Sequence, residues 1–165
     1  GYAQGAKAAK ADVKIIENYT GTTPAAWNDP VTAGELTKAQ FDAGADVVFA
    51  AAGGSGLGVL QAAADAGKFS IGVDSNQNYL HPGSVLTSMM KRVDVAVENG
   101  LNDANFKPGL TVLGLKENGV GYALDDNNKA LITDDIKAAV DKFSADIQSG
   151  AIAVHDYTAD NACPA

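Results

Sequence analysis

The strongest constraint on this chain is the order of apolar runs, glycines and acids between residues 46 and 74. After Asp46 the run Val47 to Ala51 is unbroken and apolar, as expected of a parallel strand covered on both faces. The stretch AAAGGSGLGVL, residues 50–60, then places four glycines within six residues. Leu57 to Ala66 reads as a helix closed by Gly67, and Phe69 to Val73 as the next strand, ended by Asp74. Strand, glycine turn, helix and strand in that order predict a parallel sheet with right-handed crossovers.

Two familiar uses of such a turn fail. A nucleotide P-loop needs Lys and then Ser or Thr after its last glycine, and Gly58 is followed by Val59. A dinucleotide fingerprint begun at Gly54 and Gly56 finds Val59 where its third glycine belongs. The turn still offers backbone N–H groups at a helix N-terminus, which favours an oxygen-rich or anionic group. Close packing of the helix onto the sheet is the other use, and both can hold together.

The flanks extend the pattern. Residues 2–10 have helical spacing, and Val13-Lys14-Ile15-Ile16 reads as a short β-branched strand leading into GTTPAAWNDP. Asp29-Pro30 is a helix start, with Asp as N-cap and Pro in the first turn; this helix is expected to run to about Ala43 and stop at Gly44. The order α-β-α-β-α-β is that of a doubly wound α/β sheet. Further on, Ser84 to Met90 reads as extended, Arg92 to Asn105 as a helix and Thr111 to Leu115 as a strand. Thr133 to Ser149 is an amphipathic helix capped by Thr133, with Ile136, Val140, Phe143 and Ile147 on one face.

The 165 residues suit about one core, and the net charge of -8 argues against a polyanionic partner, nucleic acid or anionic membrane. The one dense basic spot, Lys91-Arg92, is bracketed by acids. No run of 18 apolar residues offers a membrane-spanning helix. The chain opens at Gly1-Tyr2 inside a helical pattern, without Met, leader or lipidation sequence, so a preceding segment is expected to be missing. The lone Cys163 is either a free thiol or paired with a segment outside the chain.

Ligands of open α/β sheets bind beyond the carboxyl ends of the strands. Three expected strands lead into Trp27, into Gly53-Gly54-Ser55-Gly56 and into Asp74, which should share one rim. Asp74 lies about 20 residues past Gly54, the spacing nucleotide folds use between glycine turn and diol-reading acid. A plain turn residue is the alternative. Trp27, the sole Trp, falls in a polar loop, where it could cover a planar ring or anchor the loop. Lys91 could orient the Asp74 carboxylate or be an ordinary surface lysine. His81 and His155 read as surface residues, no metal or cofactor is expected, and no catalytic constellation is present.

The stretch GADVVFAAAGGSGLGVLQAAADAGKFSIGVDSNQ, with PGSVLTSMMKRVDVAV after it, resembles the basic membrane protein family of substrate-binding lipoproteins, nucleoside-binding components of ABC importers. YTGTTPAAWNDP and KENGVGYAL are similar to further segments of that family, so the likeness covers nearly the whole chain. It implies a type I periplasmic binding protein fold of two α/β lobes joined by a hinge, of which this chain is a C-terminal portion. Residues 1–84 are then expected to be the second lobe, 85–130 a hinge crossing with first-lobe elements, and 131–165 a helix and tail returning to the second lobe.

The resemblance also implies roles. Trp27 stands where the family has an aromatic, usually Phe, that stacks on the base. Asp74 and Lys91 match residues serving the ribose hydroxyls, Gly53 or Gly54 a backbone group near the sugar, and Asn28 a contact to the base edge. The implied protein is not an enzyme but an extracytoplasmic receptor, lipid-anchored in its precursor, that binds a nucleoside, with a purine expected, and meets an ABC permease. The missing first lobe would complete the site. A ligand-sensing regulatory protein, or a nucleoside-processing enzyme, is the alternative.

Overall fold

The computed structural model describes residues 1–104 and 107–162. In chain order the elements are α1 (Tyr2–Ala9), α2 (Pro30–Asp42), β1 (Val47–Phe49), α3 (Gly56–Asp65), β2 (Phe69–Asp74), β3 (Val85–Lys91), α4 (Val93–Asn102), β4 (Val120–Tyr122), α5 (Asp134–Ser149) and α6 (Tyr157–Asp160). Short 3-10 turns span Pro24–Asn28, Gly53–Ser55 and Asn78–Leu80. The strands form one four-stranded sheet in the order β1-β2-β3-β4. The first three are parallel, and β4 runs antiparallel to β3 with Lys91 opposite Val120.

Alternation along β1 explains why both faces are covered. Val48 packs into the core with Ala33 of α2 and Val59 and Ala63 of α3. Its neighbour Phe49 points the other way, and its ring stacks on Tyr2 of α1 at 5.1 Å between centroids. Helices on both faces of a mostly parallel sheet are the doubly wound α/β arrangement expected.

Local signals set the helix ends. Asp29 Oδ1 accepts from the Thr32 N–H at 3.0 Å and Pro30 opens α2, which ends just before Ala43 and Gly44. Thr133 caps α5 in the same way, its hydroxyl accepting from the Ile136 N–H at 3.3 Å. The apolar face of α5, with Ile136, Val140, Phe143 and Ile147, lines a groove of about 470 Å³ beside α1.

Two expected strands are absent. Val13 to Ile16 pairs with no other strand among the described residues, and Ile15 and Ile16 stay 39% and 40% exposed. Its β-branched residues have neither a ladder nor a face to bury, so propensity alone does not make a strand. Thr111 to Leu115 instead enters a turn, in which Gly119 N–H donates to the Gly114 carbonyl at 2.9 Å and Glu117 accepts from the Gly114 N–H. The strand follows that turn, at Val120–Tyr122, where β3 supplies the ladder. α4 stops at Asn102, short of the expected end at Asn105, which lies outside the described residues, as does Cys163.

Candidate functional site

The carboxyl ends of β1, β2 and β3 form one rim. Phe49 is in register with Ile71, and Ala50 N–H donates to the Ile71 carbonyl at 3.1 Å, so the chain leaves β1 beside β2 as β2 runs on to Asp74. Asp74 is in turn paired with Met90, the residue before Lys91. Lys91 Nζ lies 2.8 Å from Asp74 Oδ1. Both side chains remain well exposed, at 61% and 47%, so the pair is a surface feature aimed off the sheet end.

The glycine turn divides its labour. A Cβ on Gly58 would collide with the Pro30 carbonyl, so this glycine lets α3 press against the start of α2. Gly53 sits at the rim with φ +57°, a conformation glycine adopts without steric cost. A Cβ there would lie 3.2 Å from Trp27 Cε3 and equally close to the Trp27 carbonyl. One on Gly54 would lie 3.2 Å from Asn28 Oδ1. The turn is bare because the Trp27–Asn28 loop rests on it. Packing thus accounts for part of the glycine content, and a rim seat for Trp27 accounts for the rest.

Ser55, which residue-by-residue reading passed over, holds that seat. Its fully buried hydroxyl accepts from the Asp29 N–H at 2.6 Å and donates to the Ala26 carbonyl at 2.6 Å. It therefore spans the 3-10 turn that carries Trp27 and Asn28. Trp27 itself is 59% exposed, a large apolar plane left facing outward by a loop that is otherwise pinned. Only the placement of a serine inside the glycine turn hinted at this.

The family model of the ABC transporter substrate-binding protein PnrA-like family matches residues 1–156. The chain belongs to this family, the basic membrane protein family. Basic membrane protein D of Borreliella burgdorferi (strain JD1) is 35% identical over 93% of the chain and 46% of its own length. The ABC transporter nucleoside-binding protein BmpA of Lactococcus lactis subsp. cremoris is 34% identical over 93% of the chain and 47% of its own length. A solute-binding protein of an ABC transporter system from Aeropyrum pernix K1 has the same fold, with a TM-score of 0.74, 24% identity, and 94% of this chain matched to 52% of that one. The chain thus spans about half the length of the curated relatives it matches.

In this basic membrane protein family member, Trp27, Asn28, Gly53 and Gly54 meet in one cluster, and Asp74 and Lys91 in another at the neighbouring strand ends. The rise of Trp27 to the rim does not depend on a strand before it, since Val13 to Ile16 forms none. His81 and His155 are half-buried, with His155 Nε2 2.9 Å from the Ala162 carbonyl oxygen. Among the described residues no group of His, Cys, Asp and Glu could hold a metal ion, and no helix is long and apolar enough to cross a membrane.

Proposed function

We propose that this chain is the second lobe of an extracytoplasmic receptor that binds a nucleoside and presents it to an ABC permease. The observation that carries the reading is an exposed indole plane beyond the end of β1 and an exposed carboxylate–ammonium pair at the ends of the neighbouring β2 and β3. Trp27 stacks on the base, and its wide plane suits a purine. Asp74 accepts hydrogen bonds from the ribose hydroxyls while Lys91 orients that carboxylate and donates to the sugar. Asn28 reaches the base edge, and the backbone of Gly53 or Gly54 lies near the sugar. The name of the Lactococcus relative supports a nucleoside as ligand.

No chemistry is required of these residues; the work is binding and release. The first lobe, supplied by the remainder of a full-length protein, closes over the rim and provides the opposing face. The division into 1–84, 85–130 and 131–165 belongs to this reading. Its support is confined to the stretch between β3 and β4, since both of those strands lie within the sheet. There α4 carries no buried residue, Leu101 is 82% exposed, and Leu110 and Val112 are 95% and 81% exposed, an apolar surface without a host. A lipid anchor in the precursor completes the picture of a receptor held at the outer face of the cell membrane.

Calorimetric titration of the full-length protein with ribosides and 2′-deoxyribosides tests the proposal. Losing a hydrogen bond to a charged group costs about 1.5–3 kcal/mol, so ribosides should bind about 10- to 150-fold more tightly. Equal affinities would remove the diol role of Asp74, and absence of binding would remove the nucleoside. Chromatography of the titrated nucleoside should return it unchanged; a released base would make the protein an enzyme.

A further inference from the structure

Asp74 holds an expensive backbone conformation. Its φ is +70°, and the Ser75 N–H donates to the Val73 carbonyl at 2.9 Å across it. A γ-turn with its central residue at positive φ is rare and strained, and a non-glycine residue stays there only where its surroundings over-determine it. The side chains that follow do so. Gln77 Oε1 accepts from the Val73 N–H at 2.9 Å, reaching back into the space left by Gly72, where a Cβ would lie 2.7 Å from that oxygen. The Gln77 N–H donates to Ser88 Oγ at 2.9 Å, and that hydroxyl donates to Asn78 Oδ1 at 2.8 Å; Ser88 and Asn78 are fully buried.

This chain of bonds ends on a distant segment. Asp125 Oδ2 accepts from Asn76 Nδ2 at 2.6 Å and from Asn78 Nδ2 at 3.1 Å, while Oδ1 accepts from the Asn127 N–H at 2.7 Å. The seat of Asp125 is itself fixed: its N–H donates to Asn128 Oδ1 at 2.8 Å, and buried Asn128 donates to the carbonyls of Leu86 on β3 and Ala123. Three donors converge on this carboxylate, which only an acceptor on both oxygens satisfies.

We infer that Asp125 is a positioning residue for the ribose-reading carboxylate: through Asn76 and Asn78 it holds the loop that keeps the γ-turn at Asp74. The inference rests on the nucleoside reading for what Asp74 touches, but not for what Asp125 holds. An amide in place of the carboxylate would turn an NH2 group toward one set of donors, loosening the loop while leaving Asp74 and Lys91 in the sequence.

The test compares full-length wild type with Asp125→Asn and with the milder Asn76→Ala, using Asp126→Asn as control; the Asp126 side chain is 93% exposed and pairs with Lys129 outside the network. Two readouts are taken: hydrogen-exchange protection of the Ser75 and Gln77 amides relative to that of core Leu60, and the ratio of riboside to deoxyriboside affinity. Both Asp125→Asn and Asn76→Ala should lower the relative protection and narrow the affinity ratio by about tenfold, the scale of one charge-assisted hydrogen bond, and Asp126→Asn should do neither. Unchanged relative protection in Asp125→Asn overturns the inference, as does an equal loss of affinity for both nucleosides with protection falling everywhere alike. If wild type binds no nucleoside while Asp125→Asn still loosens Ser75 and Gln77, the nucleoside reading falls and the positioning of Asp74 by Asp125 stands.

Discussion

Lys91 Nζ and Asp74 Oδ1 lie 2.8 Å apart across the adjoining ends of β3 and β2, joined by a parallel register that pairs Asp74 with Met90. Because both side chains are largely exposed, the pair adds little to folding; exposed ion pairs contribute about 0–1 kcal/mol. Asp74→Asn and Lys91→Met should therefore unfold in urea within about 1 kcal/mol of wild type. In calorimetric titration of the full-length protein the same variants should lose most riboside affinity. A large stability loss with affinity retained would make the pair structural.

Ser55→Ala removes one hydroxyl that serves two backbone groups. The Asp29 N–H and the Ala26 carbonyl would lose their partner in a buried position, a loss of about 1–3 kcal/mol for each group left unsatisfied. Urea denaturation should show destabilisation of that order. Emission of Trp27, the sole Trp of the chain, should shift as its loop loosens.

Gly53→Ala tests the bare turn. The new methyl would stand 3.2 Å from Trp27 Cε3 in a backbone at φ +57°. Placing a non-glycine residue at such a φ costs about 1–3 kcal/mol, and Trp27 must give way as well. The expected result is lowered stability with Trp27 fluorescence displaced from wild type. Gly44→Ala also meets positive φ, but nothing lies within 4 Å of its Cβ. It should lower stability without touching Trp27 emission.

Acid should reveal two carboxylates. Asp29 is held below the usual carboxylate range by the Thr32 N–H, then by the Thr32 hydroxyl. Asp125 is held below it by the Asn76 amide, then by the Asn127 N–H. A carboxylate whose folded pKa is depressed stabilises the fold fully above its unfolded pKa, and that contribution is lost as pH falls through the folded value. Stability should thus be level from neutrality to about pH 5 and decline below. Asp125→Asn should flatten part of that acid limb in denaturation curves taken across pH; an unchanged limb would exclude Asp125 from it.

Much of the fold was legible because its signals are local. The Asp29 cap with Pro30, the continuous run of β1, and Asp74 closing β2 each depend on residues within a few positions. The expected strand at Val13 to Ile16 fails for the opposite reason: β-branched residues announce a strand, but a ladder needs a partner. TVLGL misleads likewise, since the Gly114 and Gly119 turn spends that segment and β3 takes up Val120–Tyr122 instead.

The sequence by itself determined the α/β class, the family and the residues that stand at the carboxyl ends of β1 and β2, since capping, periodicity and motif spacing are written along the chain. Only the tertiary structure decided how those residues are held. Ser55 reaches back to Ala26, Gln77 fills the volume Gly72 leaves empty, and Asp125 closes the loop at Asn76. Each is a hydrogen bond or a steric fit to a neighbour in space, and no local preference of the backbone specifies which distant group will arrive there.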